Sequence, residues 1–264
     1  MMDARVTGVG VLGPGLPDWQ QARPVLAGTT PWQHADVGRV VAPDLPRTEA
    51  RRATLATHLA LTAASQAMAD QPAPGEAMPS VWAAADSDLQ GLEKNCFTLA
   101  DQQPWISPYR FQNSVHNTAS GYWSIVTGCR GPATALCSGE VSVAAGLVEA
   151  LTMLVEGHER CLLVVCDELS PRTLAVARPV PFSFAAALVL ARDAVAGARL
   201  SLETVTGADL PATPCTDTGL EGVRGGNPAA RILPLLCALA GNAPAVVDLP
   251  WTGQGLRITV EGQA

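Results

Sequence analysis

Between Phe111 and Glu149 the chain reads FQNSVHNTASGYWSIVTGCRGPATALCSGEVSVAAGLVE. A Gly131-Pro132 turn leads into a short apolar strand, Ala133 to Leu136, which runs into a helix start around Ser138 and Glu140. A strand that stops at a helix N-terminus is a favourable seat for a nucleophile, because the helix dipole stabilises negative charge there. Two side chains compete for the seat. Cys137 has the sulfur that acyl transfer through a thioester needs. Glu140 offers a carboxylate, which only accepts hydrogen bonds when ionised and is a poor nucleophile in water. Upstream, NSVHN places Asn113, Ser114, His116 and Asn117 together on a polar segment. Of the four histidines, His34 falls in a loop, His58 on a helix and His158 in a turn, which leaves His116 as the one in a chemically suggestive setting.

Strands alternating with helices must position these groups. Arg5 to Leu12 reads as a first strand, and Thr48 to Asp70 as a helix that Thr48 caps. Trp19 to Leu45 reads as irregular, and Gln71 to Pro79 as a proline-bearing linker. Ser80 to Ala85 reads as a buried strand, followed by the turn Asp86-Ser87-Asp88 and a helix from Leu89 to about Asp101. That acidic turn suits helix capping better than metal binding. Helices are expected over Val115 to Thr127 and Glu140 to Glu156. Strands are expected over Cys161 to Cys166, Phe184 to Ala191 and Arg199 to Thr206. Ala208 to Asn227 reads as a surface loop. Ala229 to Ala240 reads as a helix kinked at Pro234, and a last strand lies near Leu256 to Val260. Tyr122 and Trp123 are expected to pack rather than bind.

Gly8, Gly10 and Gly13 match GxGxxG, but Pro14-Gly15-Leu16-Pro17 follows at once and denies a dinucleotide the helix it needs. A nucleotide-binding module is therefore the weakest reading of this chain, and no cofactor is expected.

The composition of the 264 residues narrows the classes further. A net charge of −7 argues against a nucleic-acid partner. A hydrophobic content of 48% with only 16% charged residues points to a large core, a large partner interface, or both. Seven cysteines with no CxxC spacing read as reduced, mostly packed thiols of a cytoplasmic protein, with no zinc site. The N-terminal stretch lacks the pattern of a signal peptide, and no apolar run is long enough for a membrane span.

ISPYRFQNSVHNTASGYWSIVTGCRGPATAL, continuing through CSGEVSVAAGLVEAL, resembles the first half of the β-ketoacyl synthases. RVTGVGVLGPG is similar to their first strand and SVWAAADSD to their second. RCLLVVCDE and FSFAAALVLAR resemble the strand pair after the nucleophile helix. The resemblance spans roughly residues 1 to 195. It implies an α/β, thiolase-like half-fold: a mixed five-stranded sheet with helices packed on it, truncated relative to a full ketosynthase. The chain would form a single domain, with a divergent extension from 196 to 264 whose role after Gly207 is open.

Counted without gaps from Gly131-Pro132, the family's nucleophile position holds Glu140, and Cys137 comes three residues early. Deleting three residues from the strand would turn its faces over. The histidine segments of the family's second half, HGTGT-like and NxxFGFGG-like, do not occur. A shortened chain without the nucleophile resembles chain-length-factor-like subunits, in particular the compact ones of bacterial aryl-polyene clusters, where an AGE-like sequence replaces the cysteine. Here that sequence is Ser138-Gly139-Glu140.

The resemblance implies a non-catalytic subunit paired with a full-length β-ketoacyl-ACP synthase. Acyl carrier protein would be reached only through that partner. Asn113, Ser114, His116 and Asn117 would line the partner's tunnel, unless His116 and Asn117 merely cap the next helix. Ala133, Thr134, Ala135 and Leu136 would pair across the two-fold, with Ser138 and Gly139 beside them. Glu140 is then a capping or interface carboxylate, a participant in malonyl decarboxylation, or a tunnel-lining group. The rival reading is a self-sufficient condensing enzyme that uses Cys137.

Overall fold

The computed structural model describes residues 1–75, 77–102, 104–206 and 210–262. The first half runs β1 (Met2–Leu12), α1 (Trp19–Leu26), α2 (Arg47–Ala50), α3 (Leu55–Met68), β2 (Ser80–Ala84), α4 (Leu89–Leu99), α5 (Pro108–Gln112), α6 (Thr118–Thr127) and β3 (Ala133–Cys137). After a 3₁₀ turn (Gly139–Val141) come α7 (Ser142–Val155), β4 (Arg160–Asp167), β5 (Phe184–Ala191) and β6 (Ala198–Val205). α8 (Thr218–Gly226), a second 3₁₀ turn (Ala229–Ile232), α9 (Leu233–Gly241), β7 (Ala245–Trp251) and β8 (Gln254–Glu261) complete the order.

Among the described residues the strands form one eight-stranded sheet, ordered β3-β2-β4-β5-β1-β6-β8-β7. The five-stranded sheet expected from the resemblance is its first part, β3-β2-β4-β5-β1. The count is larger because β1 has two partners. Arg5 to Leu12 bond to β5, and Met2 to Val6 bond to β6. The residues after 196 thus extend the sheet by three strands. Pairing is parallel for β3-β2-β4 and antiparallel beyond.

Strand side chains alternate between two cores, as period-two geometry requires. Val81, Ala83, Leu163, Val165, Leu188 and Leu190 face the side covered by α1, α7 and α9. Trp82, Leu162, Val164, Ala187 and Val189 face α3 and α6, where Tyr122 and Trp123 are buried. The far end of the sheet returns to the first core, since β7 touches both α7 and the 3₁₀ turn before it. The middle of α7 is therefore held between β2 and β4 on one side and β7 on the other.

Several element expectations are corrected. The helix placed at Thr48 to Asp70 is two helices. Thr54, not Thr48, caps the longer one, its hydroxyl accepting from the Thr57 N–H at 3.3 Å. His58 causes the break: Nδ1 accepts from the Ala42 N–H and Nε2 lies 3.0 Å from the Ala50 carbonyl, folding the preceding segment back. α1 lies inside the stretch read as irregular; Asp18 caps it. The helix expected from Val115 starts at Thr118, and α5 precedes it. α8 lies inside the stretch read as a loop, capped by Asp217, while residues 207–209 fall outside the described residues. Pro234 does not kink α9, because it occupies the first turn, where no N–H is needed. β7 escaped the sequence reading because its burial alternates only over a few residues.

The glycine pattern in β1 serves packing. A Cβ on Gly10 would lie 2.1 Å from the Ala63 carbonyl oxygen, and one on Gly8 equally close to that of Ala67. Both glycines let α3 rest directly on the strand. No helix starts at the end of β1 itself: Gly13 and Leu16 close a tight turn through paired backbone bonds of 2.8 and 2.9 Å, and α1 begins only at Trp19. Gly10→Ala is expected to destabilise the fold by about 2–3 kcal/mol, as overpacking against backbone does. Urea denaturation checks this, and an unchanged midpoint would refute the packing argument.

Candidate functional site

β3 delivers the site. It ends at Cys137, and the chain turns at once into α7. Gly139 takes φ +57°, a conformation that costs glycine little and other residues more. Ser142 locks the turn: its Oγ accepts from the Ser138 N–H at 3.0 Å and donates to the Ala84 carbonyl at 2.7 Å. Glu140 lies in the 3₁₀ turn, and the regular helix begins at Ser142 rather than at Glu140.

The turn sends Cys137 and Glu140 to different places. Glu140 lines a cleft of about 450 Å³, walled by Val141, Val180, Leu249 and the guanidinium groups of Arg178 and Arg231. Its Oε2 is 3.0 Å from Arg231 Nη2, and its Oε1 is 3.7 Å from Arg178 Nη1. Arg178 also holds Asp86, with Nε donating to Oδ2 at 2.7 Å. Asp86 is thus a counterion and Asp88 the cap of α4, accepting from the Gly91 N–H at 2.8 Å. Arg224, in the same cleft, is clasped by Glu221, whose carboxyl it pulls down to about 2.

Cys137 lines a much smaller cavity of about 50 Å³, shared with Trp82, Leu136, Asn113 and His116. Its Sγ is 3.2 Å from His116 Nδ1. A thiol beside an imidazole is the geometry of a nucleophile and its base. Burial pushes the Cys137 thiol up from its ordinary value, and the carboxylates of Asp167 and Asp86 push it further. Those carboxylates work against a thiolate here. Alkylation of Cys137 by iodoacetamide is expected to reach half its maximal rate only above about pH 9, the ordinary value for a thiol. A rate already maximal at neutral pH, followed by peptide mass analysis, would show a nucleophile primed for attack.

The other expected site residues fall around the same strand. Asn113 is buried, and its Nδ2 donates to the Arg52 carbonyl at 2.6 Å. Ser114 is exposed and donates to the Phe111 carbonyl. Asn117 occupies the cap position of α6, but its side chain makes no capping bond. His116 turns to Cys137 rather than to that helix end. Ala133, Thr134, Ala135 and Leu136 form an outer strand whose one strand partner among the described residues is β2. Thr134 Oγ1 donates to Glu149 at 2.9 Å.

Sequence reasoning missed four groups. Arg178 comes from the loop after β4 and Arg231 from the second 3₁₀ turn, both far along the chain from Glu140, and nothing in the local sequence pattern pointed to them. Asp167 and Glu168, in the quoted RCLLVVCDE, are buried at the end of β4. Asp167 Oδ1 accepts from the Ala85 N–H at 2.7 Å, and Glu168 Oε1 from the Gln90 N–H at 2.8 Å. Burial raises their carboxyls to about 7 and about 8 respectively. Together they tie down the turn that carries Asp86 into α4.

Among the described residues no helix is long and apolar enough to cross a membrane.

Comparisons with known proteins agree with this architecture. A ketosynthase (ApeO) in complex with its chain length factor (ApeC) from Xenorhabdus doucetiae superposes with TM-score 0.73 at 22% identity, over 98% of this chain and 100% of the matched one. The ishigamide ketosynthase/chain length factor gives TM-score 0.73 at 16% identity, over 98% and 99%. The AntDE:AntF assembly, a type II polyketide acyl-carrier protein with its ketosynthase, gives 0.73 at 12% identity, over 99% of each chain. No curated protein matches the sequence. The family model described as beta-ketoacyl synthase, N-terminal domain, matches residues 19–221, most of the chain. The strand that ends at Cys137, the turn that bears Glu140 and the helix behind them all lie within that match, and the chain belongs to the beta-ketoacyl synthase N-terminal domain family.

Proposed function

We propose that this chain is a chain-length-factor-like subunit that pairs with a full-length β-ketoacyl-ACP synthase and forms one wall of its acyl tunnel. The observation that carries this reading is the state of the outer strand β3 and its surroundings. The two ends of the sheet are finished differently. At the β7 end, Thr213 bonds to both the N–H and the C=O of Asp248, and Pro250 interrupts the edge. At the β3 end the strand has no second strand partner among the described residues, and α6, which packs against it, exposes Ile125. Phe97, Leu99, Trp105 and Phe111, from α4 to α5, are also at least 60% exposed. An unpaired edge on a molecule with this much exposed apolar surface is a liability when it is alone and suits a lasting partner.

The chemistry supports the same reading. The nucleophile position holds Glu140, which is engaged with two arginines, and the neighbouring thiol is not primed. The partner would contribute the cysteine, the two histidines and the contact to acyl carrier protein. Similarity to assemblies described as ketosynthases with chain length factors agrees with this. An aryl-polyene or related polyketide or fatty-acid-type pathway, and a cytoplasmic setting for the seven thiols, are the context we infer.

Co-expression with a full-length ketosynthase should give a stable 1:1 complex in light scattering. A mechanism-based ketosynthase inhibitor should then label the partner and leave this chain unlabelled. Two proteins that elute separately would overturn the proposal. The Cys137–His116 contact favours a second reading, acyl transfer by this chain itself. Labelling of Cys137 in the isolated chain, followed by malonyl-dependent extension, would establish it.

A further inference from the structure

We propose that the cleft beside α7 is a carboxylate-binding site that the chain keeps filled with its own Glu140. Two guanidinium groups from separate segments converge on this one carboxylate, Arg178 from the loop after β4 and Arg231 from the turn before α9. Each of the other charges in the cleft already has its own partner. Asp86 takes the Nε edge of Arg178, and Glu221 clasps Arg224. With Glu140 withdrawn, Asp86 and Glu221 still pair Arg178 and Arg224, while Arg231 loses the one carboxylate that is its ion-pair partner among the described residues. The site therefore asks for one negative charge.

The walls define what else the ligand carries. Val141, Val143, Val180 and Leu249 line the cleft, and its volume of about 450 Å³ far exceeds what a bare carboxylate fills. Pockets of this size ordinarily hold small organic ligands. The chemical class is thus a monocarboxylate with a short aliphatic tail, its head on Arg178 and Arg231 and its tail on the valines.

Glu140 is well placed to give way. Its side chain is 54% exposed, and space beside Gly139 is open. An ion pair that exposed is weakly held, so the internal carboxylate competes with an external one without excluding it. Glu140 acts as a tethered competitor. This inference does not depend on the pairing with a ketosynthase, because the cleft lies within one chain.

Calorimetric titration of the full chain with hexanoate, acetate and inorganic phosphate tests the proposal. Glu140→Ala should bind hexanoate about two- to fivefold more tightly than the unaltered chain, the scale on which an exposed ion pair competes. Glu140→Gln, which keeps the shape and loses the charge, should move in the same direction. Hexanoate should bind more tightly than acetate. Adding Arg231→Ala to Glu140→Ala should remove the gain. Hexanoate binding that is equal with and without Glu140, or that survives loss of Arg231, would overturn the assignment. So would phosphate binding more tightly than hexanoate. None of these results would alter whether a ketosynthase co-purifies.

Discussion

Phe111→Asp combined with Ile125→Asp is expected to abolish co-purification with the proposed ketosynthase partner while leaving this chain folded. Both residues are largely exposed, at 68% and 61%, so neither contributes much to the monomer's own core. Ile125 lies on α6, which packs on the outer strand, and Phe111 on α5 just before it; a partner sheet that continued through β3 would cover the first and reach the second. Burying a large apolar side chain contributes about 2 kcal/mol. An aspartate in its place must also lose its hydration, which costs further. Two such changes weaken association by at least about a thousandfold, since each 1.4 kcal/mol is a factor of ten. Size-exclusion chromatography with light scattering reads the complex, and thermal unfolding of the isolated chain reads the fold. A complex that survives both substitutions would place the interface elsewhere.

Asp167→Asn stabilises the protein at alkaline pH and does so clearly less at pH 5, which lies early in the window over which the penalty builds. The carboxyl is pushed up to about 7, first by burial, and retains its proton in the folded state across a range where the unfolded chain has already lost it. The folded state then binds more protons, so stability falls as pH rises. The fall starts near the ordinary carboxyl value of 3.8 and is complete above about 7. Below that window the acid is neutral in both states and contributes no penalty. Its Oδ2 is buried without a hydrogen-bond partner, so an uncharged amide relieves a penalty on the order of 2–3 kcal/mol at pH 8.5. The amide oxygen still accepts from the Ala85 N–H. Glu168→Gln should behave likewise, with its window reaching to about 8. Denaturant titrations at pH 5 and pH 8.5 measure the difference. A gain of the same size at both pH values would mean that ionisation is not the cause.

The strand before the site was legible because local pattern determines it. Gly131-Pro132 starts β3, and Gly139 permits the turn that places Glu140 away from Cys137. The strands Ser80–Ala84 and Phe184–Ala191 announced themselves as apolar runs. The tail was less legible. β6 and β8 were read as strands, but β7, which contains a proline, and α8, in a glycine-rich stretch, were not. Long-range electrostatics were not legible either. Nothing local to Glu140 announces Arg231, which lies 91 residues away. The Cys137–His116 contact was missed for the same reason: it joins a strand end to a loop that only the docking of α6 brings near. The break before α3 was missed because His58 reaches back across eight residues to Ala50, and helix periodicity does not register such a bond.

The central position of β1 has a kinetic consequence. β1 precedes the other strands in the chain but finds its neighbours in β5 and β6, with pairs such as Arg5 with Ala191 and Met2 with Leu202. Contacts so distant along the chain carry a large loop-closure cost before they return any stability. Refolding from urea should therefore be slow, on the scale of seconds or longer rather than the milliseconds of helical domains. During that delay β1 and β3 are both open to wrong partners. If the proposed ketosynthase partner were present while the chain is still folding, it would cover the second of these, and the timing of assembly would then count as well as its energy.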